Sequence, residues 1–170
     1  MSAGTFYGKY RGTVMNNVDP LQIGRIQATV PDVSGLLPST WAMPCVPVAG
    51  VGMGVFTVPP IGSGGWLEFE RGDPDYPIWV GCYWGSAAET PQMSRAVPPN
   101  FESITLQTAQ QNGIRVSDLP GPTGGIRIQA GSGASISVSD AGITIDNGRN
   151  ARITMTGPSV DVNGGALTVR

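Results

Sequence analysis

The residues best suited to acid–base chemistry in this chain are few. Glu68 and Glu70 lie two apart in the stretch Gly64–Glu70, a spacing that puts both carboxylates on one strand face. A carboxylate pair is the equipment of glycoside hydrolysis. Asp140, Asp146 and Asp161 recur in a repetitive C-terminal stretch, where acids would suit a polysaccharide lyase or calcium sites. Against these stands the absence of histidine from all 170 residues, which removes the commonest general base and every Ser–His or Cys–His nucleophile pair. Glu70 is followed by Arg71, as on a solvated strand face, and Asp140-Ala-Gly142 and Asp146-Asn-Gly148 are ordinary turn sequences. The nonapeptide pattern of calcium-binding β-rolls is missing. Cys45 and Cys82 lie far apart without CxxC spacing, which predicts buried reduced thiols, and two cysteines without histidine make no tetrahedral metal site. The expectation is a protein with no catalytic residue, no cofactor and no metal.

The elements that carry these residues are strands. From Glu102 to Arg170, pairs of aliphatic residues recur with one polar or small residue between them. They are Ile104/Leu106, Ile114/Val116, Ile126/Ile128, Ile136/Val138, Ile143/Ile145, Ile153/Met155, Val160/Val162 and Leu167/Val169. A spacing of two returns side chains to the same strand face. The intervening Thr105, Arg115, Arg127, Ser137, Thr144, Thr154, Asp161 and Thr168 are expected on the opposite, wetter face. From Ile126 the pairs begin 10, 7, 10, 7 and 7 residues apart, with turn residues filling most gaps. So short a strand–turn repeat predicts a solenoid or prism of β-strands. One chain's pairs make a thin core, to be completed by other copies.

Composition divides the chain. Every aromatic residue lies between Phe6 and Phe101, and Ser86 to Asn100 reads as a linker, SAAETPQMSRAVPPN. The expected organisation is a compact domain at 1–86, a linker at 87–101 and the repetitive domain at 102–170. The 25 glycines, 15 prolines and only 13% charged residues fit an all-β chain of tight turns. No secretory leader pattern is evident at the N-terminus. Val33 to Leu67 carries no charge, but its prolines exclude a membrane helix.

Five strands are predicted in the first part: Phe6–Met15, Ile23–Val30, an irregular Trp41–Val48, Gly64–Glu70 and Ile78–Trp84. Five short antiparallel strands fit a small barrel, commonly the OB-fold. Nucleic-acid binding by such a barrel needs a basic groove with exposed aromatics. Residues 1–90 carry four basic against seven acidic side chains, a net −3 of the wrong sign. A carbohydrate- or oligonucleotide-binding OB module is the alternative reading.

An ordered series of motifs then becomes recognisable: Gly12-Thr-Val through Asp19-Pro20, Gly24-Arg25-Ile-Gln-Ala-Thr-Val30-Pro31, Trp41-Ala42, Pro44 to Pro47, Phe69-Glu70, Gly72-Asp73-Pro74, Pro77 and Gly81. Over about residues 8–85 the chain resembles the OB domain of phage baseplate spike proteins, a family that includes the central spike of contractile tails and the VgrG proteins of type VI secretion. The resemblance implies an all-β fold, with an N-terminal five-stranded OB-fold barrel followed by an intertwined trimeric β-helix or β-prism. It implies a structural, non-enzymatic spike of a contractile injection machine, whose trimeric needle pierces a membrane from the baseplate hub and inner tube. The trimer core would be Ile126, Ile128, Ile136, Val138, Ile143, Ile145, Ile153, Met155, Val160, Val162, Leu167 and Val169. Leu167, Val169 and Arg170 would meet a separate PAAR-like tip protein. No lysozyme-like segment separates barrel and repeat, no large N-terminal domain precedes the barrel, and without histidine the iron at the tip of some spikes has no ligands. The expectation is a minimal spike, made in the cytoplasm without a signal peptide and built into an assembled particle, with no nucleic-acid partner.

Overall fold

The computed structural model describes residues 4–169, with side chains to Leu167. It is an all-β protein of two compact units, divided between Ala87 and Ala88. Among the described residues no helix is long and apolar enough to cross a membrane.

The first unit is a curled sheet. Its strands are β1 (Tyr10–Asn16), β2 (Gln27–Thr29), β3 (Met43–Pro44), β6 (Gly64–Phe69) and β7 (Pro77–Tyr83). A two-stranded ribbon of β4 (Ala49–Gly50) and β5 (Met53–Gly54), and a single helical turn α1 (Pro31–Ser34), lie between them. The sheet order is β2-β1-β6-β7-β3, antiparallel except for β3 against β7. Its two edges meet where Ile26 and Ala42 exchange backbone hydrogen bonds of 3.2 and 2.7 Å, closing the curl. Alternation of β6 puts Gly65, Leu67 and Phe69 inside and leaves Trp66 and Glu68 on the outer face. Val14, Ile26, Ala28, Val30, Ala42 and Trp79 complete the core, and the Trp79 indole donates to the Gly24 carbonyl at 3.0 Å.

The ladders are shorter than the sequence predicts at three places, one of them Trp41–Val48, of which only Met43–Pro44 joins the sheet. Phe6 to Lys9 stay outside β1, and the Phe6 amide donates to the Gly72 carbonyl instead. The predicted strand from Ile23 pairs only from Gln27, apart from the Ile26 bridge, because Asp19 holds the chain before it. The Asp19 carboxylate accepts the backbone N–H groups of Leu21, Ile23 and Arg25, together with the Arg25 guanidinium at 3.0 and 2.6 Å. The Arg25 contact is the main reason its carboxyl sits well below the usual carboxylate range, with the backbone donors adding to it against partial desolvation. Such a group contributes stability that is complete above about pH 4 and drains away as pH falls below it. Thermal unfolding followed from pH 7 to pH 2 should therefore show a steeper acid limb for the natural chain than for Asp19→Asn. Parallel curves would assign the acid sensitivity to other groups.

The second unit is a meander of eight antiparallel strands. They are β8 (Ser103–Gln107), β9 (Gly113–Ser117), β10 (Gly125–Gln129), β11 (Ser135–Ser139), β12 (Gly142–Asp146), β13 (Arg152–Thr156), β14 (Ser159–Val162) and β15 (Leu167–Val169). Each pairs with its neighbours in chain order. At about 4.8 Å per strand the sheet is roughly 34 Å across. Segment 87–101 does not hang free. It forms a 3-10 turn and the single-turn helix α2 (Gln92–Arg95), and Met93 and Val97 are buried. The Met93 amide donates to Gln107 Oε1 on β8 at 2.9 Å.

Candidate functional site: an unpartnered aliphatic face

The register of the meander turns the aliphatic pairs into two continuous rows. In one, Ile104, Val116, Ile126, Val138, Ile143, Met155, Val160 and Val169 are successive cross-strand partners. In the other, Leu106, Ile114, Ile128, Ile136, Ile145, Ile153, Val162 and Leu167 follow one another. Both rows share one face, because every pair is spaced by two and no ladder slips. Turn chemistry keeps this register. Gly125 and Gly142 open β10 and β12 at φ +67° and +130°, where a Cβ would come within 2.1 Å of the Val138 and Met155 carbonyl oxygens. The side chains of Asp146 and Asn147 meanwhile accept backbone amides within the β12–β13 turn.

In the single chain this face is open. Ile126 through Met155 are each 36–46% exposed, and Ile104 and Leu106 reach 69%. Val160 and Val162 are half-buried, and Leu167 is exposed. Arg170 and the Val169 side chain lie outside the described residues. An apolar face eight strands wide far exceeds what a monomeric protein leaves in water, and marks a surface made to be covered.

The opposite face departs from expectation. The polar residues between the pairs were expected to be the wetter set, yet Thr105, Arg127, Ser137, Thr144, Thr154 and Asp161 are half-buried and Arg115 is fully buried. Helix α2 covers β8 and β9 on that side, and small side chains let neighbours crowd each other. Asp146 pairs with Arg152, its direct cross-strand partner, at 2.7 Å. The Gly148 amide and then Arg152 hold the Asp146 carboxyl below its ordinary value.

None of the acid–base candidates assembles into a reactive group. Glu68 pairs with Lys9 at 2.5 Å, while Glu70 leaves the strand to begin a 3-10 turn, so the two carboxylates do not share a strand face. Asp140 accepts the Gly121 amide and Asp161 the Gly164 amide. Among the described residues no group of three or more His, Cys, Asp or Glu side chains could hold a metal ion. Cys45 and Cys82 are free thiols as read, but both are exposed rather than buried. Each lies past the buried core positions of its segment, Cys45 just after β3 and Cys82 near the end of β7. Partial desolvation raises the Cys82 thiol above its ordinary value. On the OB unit, Trp66 and Tyr83 pack 5.1 Å apart, and the Arg11 guanidinium lies 5.3 and 5.2 Å from their ring centroids. The faces of these two rings are thus engaged by the protein's own cation.

Two family models cover this architecture. Residues 10–84 match the type VI secretion system/phage-baseplate injector OB domain, and residues 103–168 match the phage baseplate V C-terminal trimerisation domain. The chain belongs to the phage baseplate V family. No curated protein matches it. As a baseplate V protein it is a VgrG-like structural component that trimerises and forms part of an assembled phage particle or injection machine. Sequence reasoning found the aliphatic pairs of this baseplate V sheet through their period of two. It missed the helical turn that covers the far side, since four residues are too few to show a helical period.

Proposed function

We propose that this baseplate V protein is the central spike of its machine, and that three copies bring their aliphatic rows together to form a membrane-piercing needle. The single observation that carries this reading is the two-row aliphatic face, which spans eight strands and has no cover within one chain. Each aliphatic side chain fully withdrawn from water contributes roughly 1.5–3 kcal/mol. With half of that already gained within the sheet, burying the remainder over three chains still yields a strongly coupled assembly. Because each inner strand finds both ladder partners within its own chain, a chain can supply a whole face of a prism, and winding of the three chains adds stiffness to it. A structure of this kind unfolds slowly, as a mechanically loaded needle requires.

On this reading residues 1–86 form the hub unit, 87–101 lock the connection onto the sheet, and 102–170 form the needle. The twelve core positions run from Ile126 to Val169. The hub unit attaches to baseplate hub and inner-tube proteins through its uncharged central stretch, where Leu36, Leu37, Val51, Met53 and Phe56 are exposed. A PAAR-like cap would sit at Leu167, Val169 and Arg170. Particles carrying Gly142→Asp, which breaks the start of β12, should attach to target cells and fail to inject, measured as loss of cell killing at unchanged adsorption. Full injection by such particles would overturn the needle role.

A further inference from the structure

On the face of the sheet away from the aliphatic rows, α2, β9, β10 and the loop before β10 enclose a cleft of about 400 Å³. Its walls include Arg115, Arg127, Gln92, Gln107, Gln129 and Thr123, and no acidic side chain. Arg115 and Arg127 are direct cross-strand partners on neighbouring strands, so two like charges face each other. Arg115 is only 5% exposed. Its Nη1 donates to the Met93 carbonyl and its Nη2 to the Thr123 carbonyl, while its buried Nε has no partner. The cross-strand neighbour Thr105 has a buried hydroxyl that is also unpartnered. Arg127 spends only its Nε, on Gln129 Oε1 at 2.9 Å.

Buried charge is costly unless it is paired. Burial and the facing Arg127 both push the Arg115 guanidinium below its ordinary pKa. Among the described residues the three ion pairs are Lys9–Glu68, Arg25–Asp19 and Arg152–Asp146, so neither cleft arginine has a carboxylate partner. Asp146 is near enough to feel Arg127, yet it is held by Arg152 and the Gly148 amide. The cleft is therefore a walled, doubly cationic space with unspent donors and no counter-charge.

We infer that this cleft binds a small oxyanion of the phosphate class as a structural counter-ion, with the Arg127 guanidinium fork as its principal contact and Arg115 behind it. Guanidinium donors match the spacing of two oxygens on one phosphate or carboxylate group. The glutamine amides can supply further N–H donors. The ion would tie α2 to β9 and β10, fastening the connecting segment to the first strands of the meander.

The test is isothermal titration of the purified full-length trimer with inorganic phosphate, with sulfate, acetate and chloride as separate arms at matched ionic strength. Phosphate should bind at one site per chain and raise the unfolding midpoint, with chloride doing neither. Saturable acetate binding with no phosphate binding would identify a carboxylate site and overturn the phosphate assignment. Arg127→Gln, at a half-buried position, should weaken phosphate about tenfold or more. Gln107→Glu keeps the acceptor for the Met93 amide and brings a carboxylate into the cleft. It should raise the unfolding midpoint without phosphate and abolish the further rise that phosphate gives. No phosphate binding to the natural trimer would overturn the inference, as would undiminished binding by both variants. Absence of binding would also result if a neighbouring copy's carboxylate filled the cleft, and that too contradicts a free ion.

Discussion

Ile143→Asp should abolish the trimer. Ile143 lies mid-row between Val138 and Met155, in the fifth of eight strands. In one chain the position is 36% exposed, so an aspartate there is solvated and the meander can still form. In the proposed assembly the same position meets its two counterparts in an apolar interior. Three carboxylates would then have to be buried together, or neutralised by large upward pKa shifts. Either cost exceeds what the remaining contacts of one layer supply. Sedimentation should find the variant at the 17.7 kDa chain mass rather than at three times that value, with its β-sheet circular dichroism retained. Thr144→Asp, one residue along on the opposite face, should leave the trimer intact. A trimeric Ile143→Asp protein would mean that the rows do not face the axis.

Leu67→Ala should have the largest effect on the OB unit, about 2–5 kcal/mol, as expected for removing a fully enclosed leucine. Leu67 has no exposure and sits on β6, hydrogen-bonded between β1 and β7. It belongs to the cluster of Val14, Ile26, Val30 and Trp79, so its loss opens a cavity at the centre of the curl. Small domains retain only about 5–15 kcal/mol in total. The variant's OB transition in a calorimetric scan should fall by about 8 °C or more, at roughly 4–8 °C per kcal/mol for a unit of this size. A shift of only a degree or two would show that the curl collapses around the gap.

Much of this architecture was readable because its physics is local. A period of two with one polar residue between needs only the strand pleat, and each such pair in the second half became a strand of the meander. The five strands of the OB sheet were legible but blurred at their ends, while the β4–β5 ribbon was not foreseen. Asp19 explains one blurred boundary. Asp19-Pro20 reads as a turn, but nothing local says that its carboxylate gathers amides as far as Arg25. Segment 87–101 reads as a linker from composition, while Met93 and Val97 are buried through contacts that form only in three dimensions. Arg115 shows the same limit. By alternation it belongs to a wet face, and α2, which covers it, lies about twenty residues earlier. Its burial gives the second unit a charged interior that no repeat pattern announces.

The aliphatic rows, the more exposed side of the lone sheet, are expected to become the buried side of the assembled protein. Thiol labelling tests this most directly. Ile145→Cys and Thr144→Cys should each be made in the full-length chain with Cys45 and Cys82 replaced by serine, and treated with a maleimide in the native state. In the single chain Ile145 is 41% exposed and Thr144 is half-buried. Trimerisation through the rows reverses that order. The Thr144→Cys protein should label readily, while the Ile145→Cys protein stays unmodified until it is denatured. Rapid native labelling of the Ile145→Cys protein would contradict the account.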